Sequence, residues 1–438
     1  MSLHTQFETI LFILKIYAGL SIFSVLWFIY SFNVYIKCIP NQLKNIDQSK
    51  FDFCKRLDYE NISLFYSVLG SILYCPFRIL VLCLTASIVI PVLLVLKLIG
   101  SIFPLINGTL FYNYIHILIV KFAGAFTLRL LGVVEVDHYL LEKNNEVCGQ
   151  VSYNCIKSDN IPEMNDVVTI VSNHVSILDI SFFMRYVSCG FVAQKEIREN
   201  YILGTFADVI GCIYVDRSCT ETRSKAKHLI QDRQLKRFEL VSSRTADAIT
   251  TPKIKDSNIF ILNEISKYFN YLKKTPLVVF PEGTTTNGND IIPFKLGAFE
   301  SLTPVMPVVL LYKYSAYSPA FEIVPFWVLL CLLFCNYGKI TLSAYWLPQM
   351  YAAKTKNNEH STKDFANRVR ELMIKVLKKA KECDNINYLQ ISKQKSHQVD
   401  LKNIRKFEIS INGNSDSSNS TATGSLRLKQ EYIRMLNN

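Results

Sequence analysis

The 438-residue sequence predicts an α/β domain, a mixed sheet flanked by helices, carried on N-terminal membrane-anchoring helices. Three observations predict it. Half of the residues are hydrophobic and 19% are charged, where a soluble protein carries roughly a quarter charged. The long apolar runs crowd into the first 120 residues. From about residue 121 to 390, short β-branched runs alternate with helical patterning, as in chains whose strands deliver residues into loops.

Residues 1–36 form the first anchor. "TILFILKIYAGLSIFSVLWFIYSF" (9–32) exceeds the ~20 residues that cross a bilayer. No Lys or Arg precedes Lys15 and no small-residue cleavage site follows, so a retained anchor fits better than a signal peptide. The linker 37–63 carries Lys37, Lys44, Lys50, Lys55 and Arg56, which places it in the cytosol and residue 1 in the lumen. Residues 64–120 are apolar and divided by Pro76, Pro91 and Pro104. They read as membrane helices or a re-entrant hairpin. Two crossings or a hairpin return the chain to the cytosol; a single crossing leaves the rest in the lumen. At this point the parity is open.

The domain itself spans 121–393. Strand-like runs are "VVTIVS" (167–172), "CIYV" (212–215), "LVVF" (277–280) and "VMPVVLLY" (305–312). The basic, polar stretch 218–275 reads as a helix followed by a loose insert. "VPFWVLLCLLFC" (324–335) is too short to span and reads as an interfacial segment. A helix opens at a Ser361/Asp364 capping box and sets Phe365, Val369, Leu372 and Val376 on one face. Residues 394–438 form a polar tail, expected to be disordered.

A net charge of +12 suits nucleic acid or an anionic bilayer surface, and the apolar content favours the bilayer over nucleic acid. Twelve cysteines lie singly, without CxxC pairs, and read as reduced thiols packed as small hydrophobes. That places the chemistry on the reducing, cytosolic side.

Four stretches could carry chemistry. "SNHVSILDI" (172–180) sets His174 and Asp179 after a strand, where a carboxylate can fix the tautomer of a histidine base. A Ser176/Asp179 capping box explains Asp179 equally well. No third ligand stands nearby to make a metal site. "VVFPEGTTTNG" (278–288) runs from a strand into a glycine- and hydroxyl-rich loop suited to phosphate oxygens, though a plain hairpin loop would look the same. "GCIYVDR" (211–217) ends in Asp216 and Arg217, either a phosphate ligand or a surface ion pair. The strand at 305–312 contains Pro307, which suggests an irregular or edge strand.

Taken in order, NHxxxxD, GxIxVDR, FPEGT and a strand with an internal proline resemble the glycerolipid acyltransferase family over roughly residues 120–350. "FPEGTTTNG" with "IIPFKLGAF" (291–299) looks closer to the lysophospholipid acyltransferases than to the lysophosphatidic acid branch. "NINYLQISK" (385–393) resembles the plant lysophosphatidylethanolamine type. No D-x-D-x-D-G loop follows the domain, so calcium control is not implied.

The resemblance implies a glycerol-3-phosphate acyltransferase-like fold. It implies transfer of an acyl chain from acyl-CoA, a co-substrate, to a lysophospholipid hydroxyl, with no cofactor, metal or covalent acyl-enzyme. His174 would be the base and Asp179 its orienting carboxylate. Arg217, Glu282, Gly283 and Thr284 would hold the acceptor's phosphate or shape its pocket, with Glu282 alternatively pairing Arg217. Asn173, Asp216, Pro281 and Pro307 would support the pocket. The implied setting is the endoplasmic reticulum membrane with the catalytic domain facing the cytosol. Acylation of lysophosphatidic acid or glycerol-3-phosphate, or a catalytically silent lipid-binding protein, stays open. A transporter fits poorly, since residues 121–320 contain no long span.

Overall fold

The computed structural model describes residues 3–36, 52–56, 58, 62–102, 110–143, 151–199, 204, 207–208, 210–216, 220–250, 275–353, 361–393 and 408–411. Helix α1 (Leu3–Ser31) continues as a π-helical turn to Ile36. Helices α2 (Leu64–Ile102) and α3 (Leu110–Leu130) follow. Two stretches, 4–36 and 64–96, are long and apolar enough to cross a membrane by length and composition.

The expectation that Pro76 and Pro91 divide 64–120 fails, while Pro104 lies outside the described residues. Helix α2 runs unbroken through Pro76 and Pro91. A proline removes an N–H and leaves the carbonyl four residues earlier without its donor. For Pro76 that carbonyl is Ile72, and α1 supplies the replacements. Tyr17 Oη donates to Ile72 O at 3.2 Å and to Leu73 O at 2.8 Å, and Ser21 Oγ donates to Ile72 O at 3.2 Å.

The remaining helices are α4 (Leu178–Tyr186), α5 (Lys195–Glu199), α6 (Thr220–Thr250), α7 (Phe326–Phe334) and α8 (Thr362–Lys393). The strands are β1 (Val133–Lys143), β2 (Val151–Ser158), β3 (Thr169–Ser172), β4 (Gly190–Gln194), β5 (Ile213–Val215), β6 (Leu277–Val279), β7 (Val305–Tyr314), β8 (Ile340–Trp346) and β9 (Glu408–Ile411). They form one mixed sheet in the order β5-β4-β6-β3-β7-β8-β1-β2-β9. The five strands from β5 to β7 are mutually parallel, so their carboxyl ends open on one edge. β8 runs antiparallel to β7 and parallel to β1, while β2 is antiparallel to both β1 and β9. β9 falls within the stretch expected to be a disordered tail, where four residues add to the sheet edge.

Strand residues divide alternately between the two faces, as the pleat dictates. Ile170, Val308 and Leu310 pack with α4 and α7 on one face. Val171, Val309 and Leu311 pack with Phe365, Val369, Leu372 and Val376 of α8 on the other. That is the predicted α8 face, and Asp364 N–H donates to Ser361 Oγ at 3.2 Å, as the capping box requires.

Three sequence expectations change. Helix α7 (within 324–335) is core rather than interfacial: Val328, Leu329, Cys331, Leu332 and Leu333 are fully buried beneath α1 and α2. Arg78 of α2 caps it, Nη1 lying 2.8 Å from the carbonyls of Leu333, Phe334 and Asn336. The helix expected at the start of 218–275 is α6, and it is packed as part of the domain, with Ala226, Ile230, Gln234 and Arg237 buried against it. Gln234 donates to Thr169 Oγ1 and Ala298 O, and Arg237 to Val167 O. Residues 251–274 of that stretch lie outside the described residues.

Pro307 sits in a central strand, not at an edge. Its carbonyl accepts from Leu347 N–H at 3.0 Å, so its missing N–H also faces β8. The regular β7–β8 ladder stops one rung earlier, at Val308–Trp346, and an isolated Val305–Met350 bridge resumes beyond an extra residue. The sheet absorbs the absent donor as an irregularity.

Candidate active site

The loop after β3 meets the loop after β6 at the carboxyl edge of the parallel strands, where open α/β sheets form their crevices. β3 ends at Ser172, yet its pairing with β7 is prolonged by a side chain. Asn173 Nδ2 donates to Leu310 O at 2.9 Å and Oδ1 accepts from Leu310 N–H at 2.8 Å. The Asn173 amide thereby stands in for one more backbone rung, and His174 is delivered just past the end of the sheet.

His174 Nδ1 lies 2.8 Å from Asp179 Oδ2. A carboxylate only accepts, so Nδ1 carries the hydrogen and Nε2 keeps the lone pair. The ring stacks on Phe280, with centroids 4.1 Å apart at 14°. Histidine is 19% exposed while Asp179 is fully buried, which leaves the imidazole as the partner that can meet a substrate.

Asp179 Oδ2 also accepts the backbone N–H groups of Val175 (2.7 Å) and Ser176 (2.9 Å), and Oδ1 accepts the Tyr312 hydroxyl at 2.6 Å. Ser176 Oγ in turn accepts Leu178 N–H and donates to Pro319 O. The capping and catalytic explanations of Asp179 are therefore not rivals. One carboxylate ties down the start of α4 and orients the histidine.

Glu282 faces inward, away from any acceptor. Fully buried, it accepts His174 N–H on Oε1 at 2.7 Å and Ile292 N–H on Oε2 at 3.2 Å. Burial pushes its carboxyl up to about 8, partly offset by those two hydrogen bonds. It holds the His174 backbone and the Ile292 N–H with its two oxygens, which fits shaping the pocket rather than holding a phosphate; Arg217, its other expected partner, lies outside the described residues.

Gly283 adopts φ +70°, and its N–H closes a turn onto Phe280 O at 3.0 Å. A Cβ there would meet the movable end of the Lys295 side chain, its Nζ at 2.5 Å, so it is the left-handed φ that favours glycine. Thr284 is buried beside it. Pro281 O accepts Lys295 N–H at 2.8 Å. Thr285 Oγ1 donates to Phe321 O, and Thr286 N–H donates to His174 O at 2.9 Å. The loop's hydroxyls and amides mostly brace the site from within.

Asp216 directly follows β5, three strands from β3, and pairs with Lys195 at 3.4 Å. Three strand spacings amount to roughly 14 Å, so it shares the edge without touching the His174 loop. Arg217 lies outside the described residues. Sequence reasoning did not pick out Phe280 or Tyr312. The Phe280 ring is the first residue past β6, and Tyr312 continues the β7 series Val308, Leu310 toward α4; that alternation was the available signal.

The membrane-side linker reaches the same place. Asn287 Nδ2 donates to Asp52 O (2.7 Å) and Lys55 O (3.0 Å), and its N–H donates to Phe53 O. Arg56, fully buried, pairs with Asp58 at 2.6 Å and Glu322 at 3.2 Å, and Asp58 accepts Ser318 N–H. Residues 52–56 and 58 are thus docked on the loops that flank His174.

Residues 152–311 match the family model described as Acyltransferase. The lysophospholipid acyltransferase LPEAT1 of Arabidopsis thaliana is 32% identical over 205 residues, covering 47% of this chain and 43% of that one. Lysophosphatidylcholine acyltransferase 2 of Mus musculus is 30% identical over 178 residues, covering 40% and 31%. The chain spans less than half the length of these relatives. The 1-acyl-sn-glycerophosphate acyltransferase PlsC of Thermotoga maritima aligns over 67% of this chain and 95% of its own, with TM-score 0.37 and 14% identity. This match lies over the loops just described, so residues 152–311 are the part of the chain that resembles the acyltransferase family.

Proposed function

We propose that the chain is an acyl-CoA-dependent lysophospholipid O-acyltransferase. The observation that carries this is the histidine–carboxylate pair, with His174 Nδ1 committed to buried Asp179 and Nε2 left as the base. Nε2 takes the proton from the acceptor hydroxyl as its oxygen attacks the thioester carbonyl carbon. The tetrahedral adduct collapses, the carbon–sulfur bond breaks, and the CoA thiolate leaves and receives the proton from the imidazolium. Atoms and charge balance without cofactor or covalent acyl-enzyme, because the thioester is already activated. Asp179 keeps the tautomer and stabilises the imidazolium between the two proton transfers. The lysophospholipid acyltransferases among its relatives support the acceptor class.

A bilayer setting is supported by the exposed apolar residues of α1 and α2, such as Phe7, Phe12, Ile22, Leu84 and Ile88. The docking of residues 52–56 and 58 on the domain supports an even number of crossings between them and, with the linker read as cytosolic, a cytosolic domain. Arg78 of α2, and Gly132 just after α3, both abut Asn336, so the excursion between them leaves and returns at one corner of the domain.

The test is acyl transfer from labelled oleoyl-CoA by membranes containing the protein. The acceptors are lysophosphatidylethanolamine, lysophosphatidylcholine, lysophosphatidic acid and glycerol-3-phosphate, with His174→Ala as the blank. Product that depends on His174, with a lysophospholipid preferred, is expected. Equal product from folded His174→Ala would overturn the mechanism, and preference for either phosphate acceptor would overturn the acceptor assignment.

A further inference from the structure

Strand β7 carries, near its end, a residue that packing alone does not explain. Val308 and Leu310 point into the apolar layer beneath α4, and Tyr312 is next on that face. A phenylalanine would fill the same space. The hydroxyl instead reaches Asp179 Oδ1 at 2.6 Å, the oxygen opposite the one that holds His174. Three of the four donors on Asp179 come from residues 174–176, within five positions of it. Tyr312 is the fourth, and it arrives from a strand 133 residues later.

We propose that Tyr312 is a positioning residue for the acyl-transfer reaction. Its hydroxyl pins the free oxygen of Asp179, fixing the carboxylate plane so that Oδ2 stays on Nδ1–H of His174. It also draws off part of the negative charge that the imidazolium would otherwise feel. This rests on His174 being the base.

Among the described residues, the titratable groups facing Asp179 are His174, Tyr312 and, from the loop after β6, Glu282. Burial and the neighbouring Asp179 charge hold the Tyr312 phenol well above its ordinary value, so it stays a donor throughout the working range. A carboxylate gripped on one oxygen only is free to swing. One gripped on both is preorganised, and catalysis depends on that preorganisation.

The experiment compares wild type with Tyr312→Phe in detergent micelles. The kcat of the variant should fall about tenfold with KM unchanged, and the acid limb of its pH–rate profile should move to higher pH. In an Asp179→Ala background Tyr312→Phe should cost nothing further. In parallel, the His174 imidazole is titrated by NMR on histidine-labelled protein, assigned by its loss in His174→Ala. This arm needs no turnover. Its midpoint should rise by about half a unit in Tyr312→Phe, since the carboxylate regains charge.

Replacing Tyr312 with 3-fluorotyrosine keeps the ring and strengthens the donor, so the midpoint should move down. That second variant covers the case in which Tyr312→Phe melts early. Unchanged titration in both variants would overturn the proposal, as would a further loss of rate in the Asp179→Ala background. Inactive wild type with every acceptor would instead end the acyl-transfer reading, and the NMR arm would still decide whether Tyr312 governs Asp179.

Discussion

A buried carboxylate is tolerated when hydrogen bonds meet its charge, and the two acids near His174 solve that problem differently. Asp179 collects donors on both oxygens. Glu282 has two backbone N–H groups and is pushed up to about 8. Its ordinary value is 4.5, so between those two pH values the folded protein binds more protons than the unfolded chain. Stability contributed by this group therefore falls as pH rises from about 4.5 to about 8 and is flat above. Glu282→Gln keeps an acceptor for His174 N–H but sets an amide N–H₂ against Ile292 N–H. Thermal melts across that pH range should show wild type losing its advantage over Glu282→Gln as pH rises. A constant difference would mean that Glu282 does not titrate there. The sequence revealed His174 and Asp179 because both sit in one short stretch, five residues apart. It left the role of Glu282 open, because a motif shows which residues cluster and not which way a side chain turns. Tyr312 was silent, since "VVLLY" reads as strand whatever its last hydroxyl touches.

At the level of elements, the misreadings share one cause, which is a partner far away in the chain. Pro76 looks like a break until Tyr17 and Ser21 are seen to serve the carbonyl that it orphans. The buried face of α6 includes Gln234 and Arg237, so a hydrophobicity pattern cannot find it. The apolar stretch of α7 proves to be core because α1 and α2 cover it. Trp27 meets Phe334 edge-on and Tyr30 stacks on Trp327 across that cover. A double-mutant cycle tests the Pro76 account. Tyr17→Phe with Ser21→Ala should destabilise the protein by about 1–2 kcal/mol. In a Pro76→Ala background, where the alanine's backbone N–H restores the helical bond to Ile72 O, the same pair should cost less than half as much. Equal costs in the two backgrounds, read by thermal unfolding in micelles, would detach Tyr17 and Ser21 from the proline.

For the whole molecule, the sequence left the membrane parity open because hydropathy counts spans and says nothing of where their ends meet. The proposed topology draws on the docking of residues 52–56 and 58 through Arg56, Asp58 and Glu322, residues 266 positions apart at the extremes. Topology follows as an expected outcome. In sealed microsomes an N-terminal epitope should resist added protease while a C-terminal one is cleaved, and the Asn61-Ile62-Ser63 acceptor should remain unglycosylated. Glycan on Asn61 would place the linker in the lumen and reverse the assignment. The same docking has a kinetic consequence. On the proposed reading, with Arg56 and Arg78 fastening linker and α2 to the domain, His174 stands at a set height above the plane in which the anchors lie, and cannot swing out on a tether to search the water. The acceptor must then be found by lateral encounter within that plane. Its effective concentration is a mole fraction of the surface, so inert phospholipid added at constant bulk acceptor dilutes the substrate and slows turnover without touching the active site.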